Sequence, residues 1–237
     1  MFVMQGSSTS TALRRRSGKI TILLVDDHPL LRQALRSALD KEADFEVVAE
    51  AGDGEEAVRL AKELVPDMVI MDIEMPKLDG LEATRQIKAT HPNIAVLVLT
   101  VHSEDEYILG ILEAGAAGYL MKTVFGMELI AAIRSVIAGE MVLSPSIMPR
   151  LMRRAARRPT KPVPLEAGEK LSVRELEVLR LAAQGMSNND IALELNLSVR
   201  TVKGYLAEIF SKLRIGSRTE AVVTALRAGI LSLDDLE

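Results

Sequence analysis

Five polar side chains stand at the ends of short apolar segments, and their chemistry suits phosphoryl transfer. They are Asp26 and Asp27 after residues 20–25, Asp72 after 68–71, Thr100 after 95–99 and Lys122 after 118–121. In a parallel α/β sheet, ligands bind outside the carboxyl ends of the strands, so these groups are expected to share one crevice. Clustered carboxylates are ligands for Mg²⁺ or Mn²⁺. The pattern predicts an aspartate phosphorylation site.

The five groups would have different roles at such a site. Asp72 is the predicted phosphoacceptor, because a carboxylate can attack phosphorus once charge on the transferring group is neutralised by a cation and a lysine. Asp27 would hold the metal directly and Asp26 through water, with the backbone carbonyl of Glu74 completing the ligand set. Lys122 would pair with Asp72 before phosphorylation. The Lys122 ammonium and the Thr100 hydroxyl would then each bind a phosphoryl oxygen.

The elements that position these residues alternate along the front half of the chain. Segments with helical spacing of apolar residues lie between the apolar runs, and several begin with a capping pair such as Asp53 and Glu56 or Ser103 and Glu106. Five strand–helix repeats within about 120 residues are typical of a doubly wound parallel sheet with right-handed crossovers.

Composition excludes several classes of protein. The 237 residues include no cysteine, which rules out disulfides and thiolate chemistry, and the three histidines fit no metal-ligand spacing. No apolar run approaches 18 residues, so we expect no membrane insertion and a cytoplasmic location. The net charge of −4 combines +3 over residues 1–18, −11 over residues 19–143 and +4 over residues 144–237. This asymmetry favours an anionic partner for the back half.

The back half is organised differently from the front. Residues 1–18 are expected to be a disordered tail and 19–143 a first domain, followed by a basic, proline-rich linker at 144–170. Residues 171–237 contain four helix starts, at Ser172, Ser187, Ser198 and Ser217. A short helix, a tight turn and a longer helix predict a helix-turn-helix. The longer helix has an apolar stripe and a small, basic face that includes Lys203 and Lys212.

Residues 19–140 resemble the response-regulator receiver family. The resemblance is carried by Asp26-Asp27, Asp72 with Met75-Pro76 following, Gly80, Thr100 and Lys122, in that order. It implies a flavodoxin-like (βα)₅ fold, Mg²⁺, and phosphate supplied by a sensor histidine kinase. It also implies a switch in which Thr100 moves toward the phosphoryl group while Tyr119 turns inward.

Some positions depart from that family pattern or vary within it. Thr123 replaces a common proline, which puts a cis peptide after Lys122 in doubt, and Val101 replaces a smaller residue. His102 and Glu74 occupy positions that tune dephosphorylation in the family. His28 and His91 are interpreted as loop residues.

Residues 171–231 resemble the LuxR/NarL-type helix-turn-helix. The resemblance is carried by Leu-Ser-Val-Arg-Glu-Leu-Glu-Val-Leu at 171–179, Gly-Met-Ser-Asn-Asn-Asp-Ile-Ala at 185–192 and Leu-Ser-Val-Arg-Thr-Val-Lys at 197–203. It implies base contacts by Lys203 and Gly204, phosphate contacts by Ser187, Asn188, Arg200 and Thr201, and dimer contacts by Thr219, Val222, Val223 and Leu226. Tyr205 and Ala207 depart from the pattern, and direct readout would depend mainly on Lys203.

These observations predict a response regulator of the NarL/FixJ type whose phosphorylation on Asp72 controls promoter binding. Expected partners are the kinase, double-stranded DNA, RNA polymerase and a second copy of the chain. It would not be an enzyme beyond self-phosphorylation from small donors and slow autodephosphorylation. Two alternatives remain: a haloacid-dehalogenase-like phosphatase, suggested by Asp72-x-Glu74, and a constitutive DNA-binding protein whose first domain only dimerises.

Overall fold

A computed structural model describes residues 18–101, 105–124, 126–143, 170–232 and 235, with the side chains of 105 and 106 excepted. Most of the predicted tail and linker, together with His102 and the Ser103 cap, lies outside these ranges. Two folded parts are described, an α/β domain followed by a bundle of helices.

The α/β domain is built on a five-stranded parallel sheet. Its strands are β1 Ile20–Val25, β2 Phe45–Ala51, β3 Met68–Asp72, β4 Ala95–Thr100 and β5 Gly118–Met121, in the spatial order β2-β1-β3-β4-β5. The register pairs Asp72 with Leu99 and Thr100 with Met121. The carboxyl ends of β1, β3, β4 and β5 therefore lie along one edge, as the sequence predicted.

The helices of this domain alternate with its strands, and the second begins directly after its predicted cap, Asp53. They are α1 Pro29–Leu39, α2 Gly54–Leu64, α3 Gly80–Thr90, α4 Asp105–Glu113 and α5 Met127–Ile137. The Asp53 carboxylate accepts a hydrogen bond from the Glu56 N–H at 2.9 Å, and the Asp79 carboxylate accepts one from the Glu82 N–H at 2.8 Å. Each cap satisfies a backbone donor that the first turn of a helix leaves unpaired.

Two apolar layers cover the two faces of the sheet. Alternate strand residues such as Ile22 and Ile70 pack with α1 and α5, whereas Leu23 and Met71 pack with α2, α3 and α4. Both faces are buried because a parallel sheet carries its crossover helices on both sides. This is the flavodoxin-like arrangement expected from the sequence.

The second part consists of α6 Val173–Ala183, α7 Asn188–Glu194, α8 Val199–Leu213 and α9 Arg218–Arg227. Ser172 with Glu175 and Ser187 with Asp190 form reciprocal capping boxes, as the spacing predicted. Buried residues from all four helices form a separate core, including Leu179, Ile191, Leu206 and Val222. Helices α7 and α8 are the helix-turn-helix pair. Within the described ranges, no helix is long and apolar enough to cross a membrane.

Candidate functional site

A buried cluster of charges occupies the carboxyl edge of the sheet. The Lys122 ammonium lies 2.7 Å from Asp72 Oδ2 and 2.8 Å from Asp26 Oδ2. Asp26 and Asp72 are only 2% and 3% exposed, so these ion pairs are shielded from water. The structure therefore brings together three of the groups that the sequence placed at separate strand ends.

The remaining hydrogen bonds fix the two carboxylates in place. Asp72 Oδ1 accepts from the Ile73 N–H at 2.7 Å, and Asp26 Oδ1 accepts from the His28 N–H at 2.8 Å. Thr100 is buried at the end of β4, and its carbonyl accepts a 2.7 Å hydrogen bond from the Lys122 N–H. The peptide bond between Lys122 and Thr123 is trans. Lys122 is thus held at both its backbone and its ammonium.

Burial and the neighbouring charges shift the pKa values of Asp72 and Lys122. Burial raises the pKa of Asp72 above its usual value, and Lys122 opposes that shift only in part. Burial alone would lower the pKa of Lys122, but its hydrogen bonds with Asp26 and Asp72 raise that pKa overall. Two carboxylates share one ammonium, so the cluster favours an additional cation.

The carboxylates fit a hard divalent cation. Ligand atoms of Asp26, Asp27, His28 and Asp72 lie within 4.8 Å of one another. Asp27 Oδ1 is buried without a hydrogen-bond partner and lies 2.6 Å from His28 Nδ1, a contact that becomes an ion pair only when the imidazole is protonated. An unsatisfied buried carboxylate oxygen is the kind of ligand that Mg²⁺ binds. His28, interpreted from the sequence as a loop residue, lies with its imidazole beside the Asp26 and Asp27 carboxylates.

The loop after β3 approaches the site closely because it contains Gly80. A Cβ at this position would overlap the carbonyl oxygen of Asp72, and the Gly80 N–H donates to the Ile73 carbonyl at 2.8 Å. Glu74 lies in this loop with an exposed side chain. Glycine is therefore required where the loop folds back against the end of the strand.

Other residues of the receiver pattern occupy different environments. Tyr119 is buried to 1% exposure on β5, and its hydroxyl lies 3.5 Å from the Met121 sulfur. Val101 is 63% exposed immediately after Thr100. His91 follows α3 and contacts the neighbouring Thr90 hydroxyl at 2.9 Å, away from the charge cluster.

Helix α8 presents the residues predicted to contact DNA. Arg200, Thr201, Lys203 and Gly204 are exposed, whereas Val202, Leu206 and Ile209 are buried in the helical core. The space around Gly204 is open, with no atom within 4 Å of a Cβ placed there. Apolar and polar faces are therefore separated as a groove-binding helix requires.

Lys212 lies at the end of α8 and has a structural role that the sequence did not reveal. Its ammonium lies 2.7 Å from both carboxylate oxygens of Glu175, which is 5% exposed and forms the capping box of α6. Burial would raise the pKa of Glu175, but Lys212 and Ser172 hold that pKa below its usual value. Lys212 thus joins α8 to α6 and is not part of a free basic face.

Comparisons with known proteins now identify both parts of the chain. Residues 22–134 match the family model of the response regulator receiver domain, and residues 169–225 match that of the bacterial regulatory proteins of the luxR family. The response regulator protein VraR of Staphylococcus aureus is 38% identical over 212 residues, which cover 90% of this chain and 99% of that protein. The chain belongs to the NarL/LuxR-type response-regulator family.

Solved structures agree with this assignment. A LuxR-family two-component response regulator from Aurantimonas is 38% identical, with a TM-score of 0.54 over 57% of this chain and 97% of that chain. RcsB of Salmonella typhimurium is 24% identical, with a TM-score of 0.53 over 86% of this chain and 97% of that chain, and it shows the same fold. The phosphatase alternative lacks any support from these relatives.

All the predicted dimer contacts of this response regulator, and one of its predicted phosphate contacts, are buried. Asn188 is 3% exposed, and Ser187 is half-buried in its capping box. Val222 and Leu226 lie in the core of the helical domain, whereas Val223 packs with the core of the receiver domain. The residues that the sequence assigned to dimerisation remain predictions. They are Thr219, Val222, Val223 and Leu226, and all four are buried.

Proposed function

We propose that Asp72 accepts a phosphoryl group from a sensor histidine kinase and thereby controls promoter binding by helix α8. The observation that carries this proposal is the buried cluster of Asp26, Asp72 and Lys122, with Nζ–O distances of 2.7 and 2.8 Å. One ammonium shared by two shielded carboxylates is unfavourable for stability alone. The arrangement is well suited to receiving a dianionic group whose charge must be neutralised.

Transfer would exchange one bond to phosphorus for another. A carboxylate oxygen of Asp72 forms the new O–P bond while the P–N bond of a phosphohistidine breaks, and the imidazole nitrogen keeps the electron pair. Lys122 would move its ammonium from the carboxylate to a phosphoryl oxygen. The Thr100 hydroxyl would donate to a second oxygen. The same site would accept phosphate from small donors such as acetyl phosphate and would lose it slowly to water.

We assign the cation to Mg²⁺, with Mn²⁺ as a substitute. Asp27 and Asp72 would bind it through carboxylate oxygens, Asp26 through water and Glu74 through its backbone carbonyl. The support for this set is the cluster of ligand atoms within 4.8 Å and the unsatisfied Asp27 Oδ1. When bound, such an ion neutralises negative charge on the phosphoryl oxygens.

Phosphorylation would be transmitted through the end of β4 and β5. Thr100 is buried beside Lys122, and Tyr119 is buried on the adjacent strand. We infer that movement of Thr100 toward the phosphoryl group is accompanied by a repositioning of Tyr119. Because α4 follows β4 in the chain, it would respond to that movement.

The output would be binding to double-stranded promoter DNA. Lys203 and Gly204 would face base edges, and Arg200, Thr201, Ser187 and Asn188 would contact phosphates. Exposure of Lys203 and open space at Gly204 support the base-facing assignment. A second copy bound through α9 would read an adjacent half-site, and RNA polymerase would be the final partner. The predicted linker at 144–170 would join the two domains along the chain.

Labelling with a small phosphodonor tests the assignment of Asp72. The wild-type chain, incubated with acetyl phosphate and MgCl₂, should acquire one acyl phosphate. Reduction of this acyl phosphate with borohydride, followed by peptide mapping, should place it at Asp72. Asp72→Asn should remain unlabelled, whereas Asp79→Asn, which alters an exposed cap in the next loop, should label normally. Persistent labelling of Asp72→Asn would contradict the assignment.

A further inference from the structure

The loop at residues 73–79, which leads from the phosphoacceptor strand to α3, contains a strained residue. The Leu78 N–H donates to the Pro76 carbonyl at 2.8 Å, and Lys77 between them has a φ of +65°. A hydrogen bond across one residue of positive φ is characteristic of the rarer of the two γ-turns, which is strained. Because Lys77 carries a side chain in a backbone region that favours glycine, this turn needs support from other contacts.

The Lys77 side chain supplies such a contact. Its ammonium lies 2.6 Å from Asp53 Oδ2, while Asp53 Oδ1 accepts from the Glu56 N–H at the start of α2. The Asp53 side chain is only 11% exposed, whereas that of Lys77 is 60% exposed. The pairing lowers the pKa of Asp53 and raises the pKa of Lys77. One carboxylate therefore caps α2 and holds the loop.

The next residue of the loop is also held against α2. The N–H of Gly54, the first residue of α2, donates to the Leu78 carbonyl at 3.1 Å. A Cβ at Gly54 would overlap the carbonyl oxygen of Leu78, so the two segments are in direct backbone contact. The ion pair and the backbone hydrogen bond thus act on adjacent residues, Lys77 and Leu78.

These contacts bear on the phosphoacceptor site because the same loop carries Glu74. Its beginning is fixed by the Gly80 N–H, which donates to the Ile73 carbonyl at 2.8 Å, and its later part is fixed by Lys77 and Leu78. A loop anchored in this way has few conformations to lose when a backbone carbonyl becomes a ligand.

We propose that the Lys77–Asp53 ion pair holds this loop in its strained turn and thereby positions the Glu74 carbonyl for the divalent cation. Lys77 and Asp53 are then positioning residues. The inference rests on the proposed function, because it requires a cation bound by Asp27, Asp72 and that carbonyl. The strain of a left-handed residue and the strength of a partly exposed ion pair are similar in size. Without the pair, the loop relaxes in part of the population, and the apparent cation affinity falls by that fraction.

Two substitutions of Lys77 separate positioning from charge. Lys77→Met removes the ammonium but keeps a side chain and its backbone strain, whereas Lys77→Gly removes both. The affinity of the full chain for Mn²⁺ would be measured from the electron paramagnetic resonance signal of the free ion, without phosphodonor. We expect Lys77→Met to bind Mn²⁺ about fivefold more weakly than the wild type. Lys77→Gly should remain within about twofold of the wild type, because its turn is no longer strained.

Asp53→Ser tests the other member of the pair. Serine can still cap α2 but cannot form an ion pair with Lys77, so the loss should match that of Lys77→Met. Combining the two substitutions should add little to either loss. The matched control is Lys62→Met, which removes an exposed ammonium from the last turn of α2 and should bind Mn²⁺ like the wild type.

A rate measurement shows at which step the pair acts. Phosphorylation of Lys77→Met by acetyl phosphate should be slower than that of the wild type at limiting MgCl₂. At saturating MgCl₂ the two rates should be equal, because the variant retains every group that contacts the phosphoryl group.

Two results would overturn the proposal. One is wild-type affinity for Mn²⁺ in both Lys77→Met and Asp53→Ser, which would make the pair purely structural even if the midpoints of urea unfolding fell. The other is an equal change of affinity in Lys77→Met and Lys77→Gly, which would assign the effect to charge. Failure of the proposed function is distinguishable from both, since it would appear as wild-type Mn²⁺ affinity in Asp72→Asn.

Discussion

Replacing Asp72 with asparagine should stabilise the protein in the absence of magnesium. Asp26 and Asp72 share the Lys122 ammonium, with ligand atoms within 4.8 Å. Repulsion between two unit charges at that separation is about 3.5 kcal/mol at an effective dielectric constant of about 20. The asparagine carbonyl can still accept a hydrogen bond from the Lys122 ammonium. Replacing a charged acceptor with a neutral one weakens that hydrogen bond by about 1–2 kcal/mol. We expect a net gain of about 1.5–2.5 kcal/mol.

Urea unfolding in EDTA at neutral pH measures this gain. Asp40→Asn, at an exposed helix end, is the matched control and should change the free energy of unfolding by less than about 0.5 kcal/mol. Since burial raises the pKa of Asp72, its ionisation destabilises the folded state above that pKa, and the destabilisation disappears at lower pH. The advantage of Asp72→Asn should therefore shrink as pH falls.

Magnesium should reverse the comparison. Bound cation would stabilise the wild type by about 1.4 kcal/mol for each tenfold excess over the dissociation constant, whereas Asp72→Asn lacks one ligand. A variant that is less stable than the wild type in EDTA would refute the reasoning about shared charge. Equal responses of both proteins to MgCl₂ would refute the assignment of Asp72 as a metal ligand.

Three further predictions concern other parts of the molecule. Lys203→Ala should weaken DNA binding by about 1–3 kcal/mol and relax sequence preference in gel-shift assays, and unchanged binding would remove Lys203 from the reading residues. Ser172→Ala should destabilise the helical domain by about 1 kcal/mol in urea unfolding, because the α6 capping box is lost; an unchanged midpoint would show that the cap is dispensable. The free energy of unfolding of the wild type should increase between pH 8 and about 10.5 because of Lys88. In this range the unfolded chain still holds the Lys88 proton, whereas the folded chain, in which the pKa of Lys88 is about 8, has released it. This contribution should be absent from Lys88→Met, and parallel pH profiles would contradict the buried state of Lys88.

Much of the phosphoacceptor site could be predicted from the sequence, because it depends on the order of short segments along the chain. Apolar runs predicted strands, and the carboxyl ends of parallel strands must meet at one edge, which placed Asp26, Asp72 and Lys122 together. Helix starts were similarly predictable, since a capping pair such as Ser187 and Asp190 involves residues three apart.

The contacts that sequence did not reveal join segments far apart in the chain. Nothing local to Lys212 or Glu175 indicates their pairing, and the burial of Lys88 depends on α9, more than 120 residues later. Asn188 was predicted from family resemblance to contact DNA, but its amide bonds the Ala138 carbonyl. Such contacts are set by how two domains dock, which periodicity and capping do not specify.

The central claim is that phosphorylation of Asp72 controls DNA binding by α8, and one titration tests it most directly. Affinity for selected duplexes would be measured on the full chain at fixed salt, with and without acetyl phosphate and MgCl₂, for the wild type and Asp72→Asn. We predict that the phosphodonor tightens wild-type binding and leaves the affinity of Asp72→Asn unchanged. Equal affinities of the wild type in both conditions, at confirmed full labelling, would contradict the claim.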